Sequence, residues 1–220
     1  MTGFVEAPGR PWLESIGVAA VVGLASGFLS AVMFRFEVDP IFWTGFSETP
    51  FLGLPSFLYP ILIALCFTGA VALVTRRVVQ RRWWTPLLLI VGIYLAWILA
   101  IRSAVAVNDL LRANWAEGIA LGAGGAVAGL IGATVTFLTV AAAAPRLRSP
   151  GAFAIVGLAG LLTGPLLAVP FTVNEADLWR LALLFMPWQG AVTAALAWAI
   201  RLRDSDAAPV VTTVAAGEQA

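Results

Sequence analysis

Charged and amide side chains are so sparse in this chain that each one standing beside or inside an apolar stretch is a candidate for chemistry. Arg102 follows Ile101 and precedes the apolar run Ala104–Val107, with Asn108 and Asp109 directly after it. On a helix Arg102 and Asp109, seven residues apart, share a face. An arginine–carboxylate pair there would close one side of a passage or hold an anion. An ionisable residue inside an apolar helix is costly enough to be a functional candidate by default, although an arginine near a helix end also snorkels its tip towards polar surroundings. Asn174, Glu175 and Asp177 repeat the pattern of Asn108 and Asp109, with Arg112 and Arg180 near them in sequence. Paired acids of this kind coordinate a cation through oxygen, form a salt-bridged gate, or are ordinary solvated loop charge. Gln189, in Pro187-Trp188-Gln189-Gly190, is an uncharged polar group in an apolar run, and Gly164-Pro165 and Pro170 precede it. Proline removes a backbone hydrogen bond and frees a carbonyl. Interrupted helices with free polar groups at mid-depth are how transporters build sites; kinked packing is the plainer alternative. These seven residues, Arg102, Asn108, Asp109, Asn174, Glu175, Asp177 and Gln189, form the expected substrate-binding set.

Absent residue types exclude other chemistries. The chain has no Lys, so no Schiff base to retinal or pyridoxal can form. It has no His, which removes imidazole-ligated haem, zinc and copper sites. Cys66 is the single cysteine, so there is no intrachain disulfide and no thiolate cluster, and it reads as a small buried hydrophobe. No Walker loop, no Gly-x-Ser-x-Gly and no pair of aspartates inside apolar helices occurs. The expectation is a protein that is not an enzyme and holds no cofactor and no metal. A net charge of +1 also argues against a nucleic-acid partner held through its phosphates.

The elements that must position these residues follow from composition. Hydrophobic residues make up 60% of the chain and charged residues 11%, against roughly a quarter charged in a soluble domain, so lipid must cover much of the surface. Charge-free apolar runs long enough for a bilayer core of about 30 Å lie at Ile16–Phe34, Leu52–Thr75, Trp84–Ile101, Gly118–Ala144, Ala152–Thr172 and Leu181–Ile200. None alternates as a barrel strand would, so an all-α, polytopic transmembrane bundle of about six helices is expected. Residues 1–203 form one transmembrane domain and residues 204–220 a disordered cytoplasmic tail. Arg10 precedes the first run and no small-x-small cleavage site follows it, which fits an uncleaved first helix.

Arg76, Arg77, Arg81 and Arg82 crowd one link, Arg146 and Arg148 another, and Arg201 and Arg203 follow the last run. Glu37, Asp39, Glu48, Asp109, Glu117, Glu175 and Asp177 occupy the alternate links. By the positive-inside rule both termini are cytoplasmic. Trp12, Trp83, Trp84, Trp115 and Trp179 fall near span ends, as an aromatic belt requires. Glu14 and Glu117 stand at helix starts, where an acid offsets the helix dipole. The link Arg35–Phe51, with Phe36, Ile41, Phe42, Trp43, Phe46 and Phe51, is too apolar to float, and it is expected to pack back on the bundle or lie in the interface. The all-Arg, Ala-rich composition suggests a GC-rich bacterial genome, hence the bacterial cytoplasmic (inner) membrane.

Two further patterns concern assembly. Pro11, Pro86 and Pro150 open the odd helices, and Gly69-Ala70-Val71, Gly125-Ala126-Val127 and Gly190-Ala191-Val192 recur in the even ones. This suggests three tandem two-helix hairpins about a pseudo-threefold axis, or chance recurrence of common residues. Ala19, Gly23, Gly27 and Ala31 recur every four residues, and Gly125, Gly129 and Ala133 do so further on. Such faces let helix backbones approach closely, within one chain or between chains. Six helices, both ends inside and a small-residue stripe on helix one give a topology similar to that of the substrate-binding components of energy-coupling-factor vitamin transporters; no motif accompanies the likeness. The expected function is a small-solute transport or solute-binding subunit, with its site between kinked helices five and six and helix three. The alternative is a non-catalytic accessory or scaffold subunit of a larger membrane complex. The expected partners are the lipid bilayer and either membrane-protein subunits or further copies of this chain.

Overall fold

A computed structural model describes residues 15–42, 61–80, 82–166 and 178–207, with side chains for all of these except 35–42 and 205–207. The described residues form six α-helices and no strand: α1 (Ile16–Phe42), α2 (Ile61–Thr75), α3 (Thr85–Arg112), α4 (Glu117–Ala143), α5 (Pro150–Thr163) and α6 (Leu178–Ala207), with a 3-10 turn at Pro145–Leu147. Stretches of α1, α3, α4 and α6 are long and apolar enough to cross a membrane, whereas α2 and α5 are shorter apolar helices.

Every expected run contains a helix, but the boundaries differ in an informative way. α3 continues past Ile101 to Arg112, and α1 continues past Phe34 to Phe42. The expected link Arg35–Phe51 is therefore helical over its first eight residues, and Arg35, Glu37 and Asp39 belong to α1. Charges end an apolar run, yet they leave the backbone hydrogen-bond ladder intact, so charge patterning marks the limit of the apolar segment and not of the helix. α6 likewise runs past Arg203 to Ala207, into the segment expected to be disordered. Residues 52–60 and 167–172, at the ends of the second and fifth expected spans, lie outside the described residues.

Local signals set several ends. Ser149 caps α5, its Oγ accepting the Ala152 N–H at 3.2 Å, and Pro150 occupies the first turn, where a missing N–H costs nothing. Arg148 donates from Nε to the Ala141 carbonyl at 3.0 Å, satisfying an acceptor that the end of α4 leaves free. Pro187 sits within α6 without ending it; it withdraws one donor from the ladder and leaves the carbonyl of Leu183 without its usual partner.

The helices follow one another around a ring that α6 closes against α1. The most extensive contacts are α1 with α6 and α3 with α4, and α6 also crosses to α2. α6 is the most covered of the long helices and α3 the least. The three hairpins are not equivalent: α3–α4 is closely packed along its length, whereas α1–α2 and α5–α6 touch less among the described residues. The recurring glycines also differ. A Cβ on Gly69 would meet nothing, one on Gly125 would meet the Gly164 carbonyl at 2.5 Å, and one on Gly190 would meet Leu24 at 3.1 Å.

Two apolar clusters fill the ring. The larger joins Phe67, Ile93, Phe137, Val140, Val156, Val192 and Leu196 from α2 to α6, and the smaller joins Ala31, Ile63, Leu181 and Phe185. Trp188 of α6 belongs to the larger. Its ring centroid is 5.1 Å from that of Phe67, and its Nε1 donates to the Gly129 carbonyl of α4 at 3.3 Å. Gln80 N–H donates to the Ala143 carbonyl at 3.0 Å, joining the α2–α3 turn to the end of α4. Arg76, Arg77, Arg82, Arg146, Arg148, Arg201 and Arg203 thereby gather at one end of the bundle, with Arg102, Arg112 and Arg180 towards the other.

Candidate functional site

The described polar groups at depth concentrate where α1 meets α6. Gln189 is fully buried, and both ends of its amide are occupied. Ser26 Oγ donates to Oε1 at 2.6 Å, and Nε2 donates to Ser30 Oγ at 2.9 Å. One turn along α6, the Thr193 hydroxyl lies 2.8 Å from the Ala19 carbonyl and 2.7 Å from that of Gln189. Gln189 follows Trp179 by ten residues and precedes Arg201 by twelve, so at about 1.5 Å per residue it stands roughly 15 Å and 18 Å from those levels, near mid-height.

Glycines make this seam possible. A Cβ on Gly23 would occupy the place of Thr193 Oγ1 and the Gln189 carbonyl, and one on Gly27 would lie 2.5 Å from Met186 Cα. With hydrogen there instead, the α1 and α6 backbones approach until Ser26, Ser30 and Thr193 can reach across. Ala19 and Ala31, at the two ends of the stripe, are fully buried. A second close approach joins α4 to α5. A Cβ on Gly129 would strike the Gly160 carbonyl and lie 2.7 Å from Gly164 Cα, and Gly160 and Gly164 meet Gly129 and Gly125 in return.

Of the expected substrate-binding residues, Arg102, Asn108, Asp109 and Gln189 are described, and no side-chain hydrogen bond or ion pair joins one of these four to another. Gln189 faces α1, not α3 or α5. Arg102 lies on the exposed side of α3, and no ion pair joins it to Asp109, itself exposed, among the described residues. The pair formed at that end is Arg112 with Glu117, at 3.1 Å and well exposed on both sides. Asn108 is half-buried, and its Oδ1 is buried without a donor among the described residues. Asn174, Glu175 and Asp177 lie outside the described residues. Ser26, Ser30 and Thr193 were not singled out from the sequence. Their signal was the spacing of four between Ser26 and Ser30 beside Gly27, and of four between Gln189 and Thr193; their pairing spans more than 150 positions, which local pattern cannot reveal.

Chemically, the seam offers amides and hydroxyls only. Ser26 donates to an amide oxygen and not to a base, so nothing there activates it as a nucleophile. Among the described residues no group of His, Cys, Asp and Glu is placed to hold a metal ion. Comparison with known proteins finds no family model, no curated protein and no solved structure that matches this chain. The likeness to vitamin-transporter components thus rests on helix count, expected topology and the small-residue stripe of the first helix alone.

Proposed function

We propose that this chain is an integral membrane protein of the bacterial cytoplasmic membrane, with both termini in the cytoplasm, and that it serves as a non-catalytic accessory or scaffold subunit. The observation that carries the subunit reading is the state of Gln189. A solute site needs polar groups turned towards an open volume, whereas this amide is fully buried and bonded at both ends to Ser26 and Ser30. The polar residue expected to bind a solute thus joins two helices of the chain to each other. The membrane reading is supported by the four long apolar stretches and by the outward-facing Leu87, Val91, Leu95 and Leu99 of α3. The arginines gathered at one end support the orientation.

A second reading, solute binding at the opposite end, is favoured by Asn108, whose buried Oδ1 lacks a donor among the described residues and adjoins the exposed Asp109. Native mass spectrometry of the protein released gently from its host membrane separates the two. A heterologous subunit in fixed ratio is the expected result. A chain free of other subunits that carries a reproducible small-molecule adduct, lost on Asn108→Ala, would overturn the subunit reading in favour of solute binding.

A further inference from the structure

Of the four helices with stretches long and apolar enough to cross a membrane, α3 is the least covered. Among the described residues it packs closely against α4 and more lightly against α2, which leaves one side uncovered by them. Along that side run Val91, Leu95, Ile98, Arg102, Val105 and Asp109, spaced by four, three, four, three and four. Ile98 is half-buried and the other five are exposed. This is the seven-residue repeat by which a second helix packs at a shallow angle along a whole face. Two residues of the line are charged. Arg102 follows Thr85 by 17 positions, about 25 Å of helix. With Trp83 and Trp84 at the near boundary, it lies within a hydrocarbon layer of about 30 Å. Among the described residues it has no ion pair and no side-chain hydrogen bond. A charge at such depth ordinarily faces the interior of its own bundle and is paired there; this one faces outward.

We propose that this face of α3 docks a membrane-spanning helix of a different protein, one that sets a carboxylate opposite Arg102. The inference rests on the subunit reading above and gives it an interface. Charge complementarity selects the occupant. In a low-dielectric layer a guanidinium attracts a carboxylate far more strongly than at a wet surface. A phospholipid phosphate would satisfy Arg102 but would meet Asp109, on the same line, with like charge. A second copy of this chain is disfavoured by symmetry. Two copies in the same orientation pair about an axis along the membrane normal, which sets each residue of the line near its own counterpart. Arg102 would then face Arg102, and Asp109 would face Asp109, a repulsion at both levels. A different helix carries an acid at the first level and a hydrogen-bond donor at the second without that conflict.

The test uses the full chain in its host membrane, with the photoreactive p-benzoylphenylalanine replacing Leu95 or, separately, Val105. Exposed Leu162 of α5 serves as the control position. After irradiation, the expected adduct at both α3 positions is one other membrane protein, crosslinked through a membrane-spanning segment that contains Asp or Glu. Arg102→Gln is expected to cut its yield about tenfold, and Arg102→Lys to restore most of it. Because Arg102 is exposed and bonds to no described residue, Arg102→Gln is expected to leave thermal unfolding of the isolated chain unchanged. An adduct of twice the chain mass would overturn the proposal in favour of a second copy. Adducts with lipid alone would overturn it in favour of a bare lipid-facing side. A protein adduct formed equally at Leu162, formed equally by Arg102→Gln, or mapped to a segment without an acid would overturn the charge-selected interface. If native mass spectrometry retains a subunit in fixed ratio that neither α3 position touches, this interface fails while the subunit reading stands; a chain with no subunit and no protein adduct defeats both.

Discussion

Two buried polar side chains in this bundle should respond to substitution with opposite signs. Gln189 makes a hydrogen bond at each end of its amide, with Ser26 and with Ser30. Gln189→Leu keeps most of the volume and removes both bonds. With hydrogen bonds between buried helices contributing on average about 0.6 kcal/mol and at most about 1.7 kcal/mol each, a loss of about 1–2 kcal/mol is expected. The stranded serine hydroxyls can turn back to carbonyls one turn earlier in α1, which keeps the loss from being larger. Thr136 of α4 is fully buried too, but its hydroxyl has no partner among the described residues. Thr136→Val replaces that hydroxyl by a methyl group of similar size and removes an unmet polar atom, which costs about 1–3 kcal/mol where it stands. A gain of about 1 kcal/mol is expected. Denaturant unfolding of the two variants in the same micelle checks both signs, and a Gln189→Leu protein as stable as wild type would show that the seam contributes specificity without stability.

At the scale of elements, the glycines divide the helices into pairs that must touch and faces that need not. Gly129 meets the Gly160 carbonyl and Gly164 Cα, which are backbone atoms that no rotamer change can move aside. Gly129→Ala therefore has to push α5 away from α4, and a loss of about 1–3 kcal/mol is expected from overpacking. Gly69→Ala meets open space in the middle of α2. There alanine gains helix propensity, and stability should rise by up to about 1 kcal/mol. Thermal unfolding of both variants is the check. The order of these effects could not be read from the chain alone, because Gly69 and Gly125 stand in the same Gly-Ala-Val triplet and only the neighbouring helix distinguishes them. The helices themselves were legible, since an apolar run near 20 residues has few other readings. So was the close-packing potential of Gly23 and Gly27, since a repeat of four recurs on one helical face. Which helix faces which was not legible. Gln189 was expected to open towards α3 and α5, and its bonds to α1 depend on a closure between the first and last helices that no local spacing records. The helical extensions to Phe42 and Arg112 were hidden for a different reason, since hydropathy falls where charge begins while backbone hydrogen bonding continues.

At the scale of the whole molecule, the distribution of arginine is the property that fixes how the bundle would sit. The Gln80–Ala143 hydrogen bond and the Ser149 cap bring the α2–α3 and α4–α5 turns to one end, and the last turns of α6 lie beside the start of α5 at that same end. The α3–α4 turn, with Asn114 and Trp115 exposed, stands at the other. If charge governs orientation, Gln80 lies in the cytoplasm and Asn114 outside. Both side chains are exposed and neither closes a helix end through its side chain, so cysteine should be tolerated at either place. In a Cys66→Ser background, Asn114→Cys should react with a membrane-impermeant maleimide on intact cells whose outer envelope has been opened. Gln80→Cys should react only after the inner membrane is permeabilised. The reverse pattern would invert the bundle and place the arginine-bearing end outside. Labelling of both in intact cells would mean that the chain does not separate two compartments. Because the two turns belong to opposite ends of one closely packed α3–α4 pair, a single consistent result orients every helix at once.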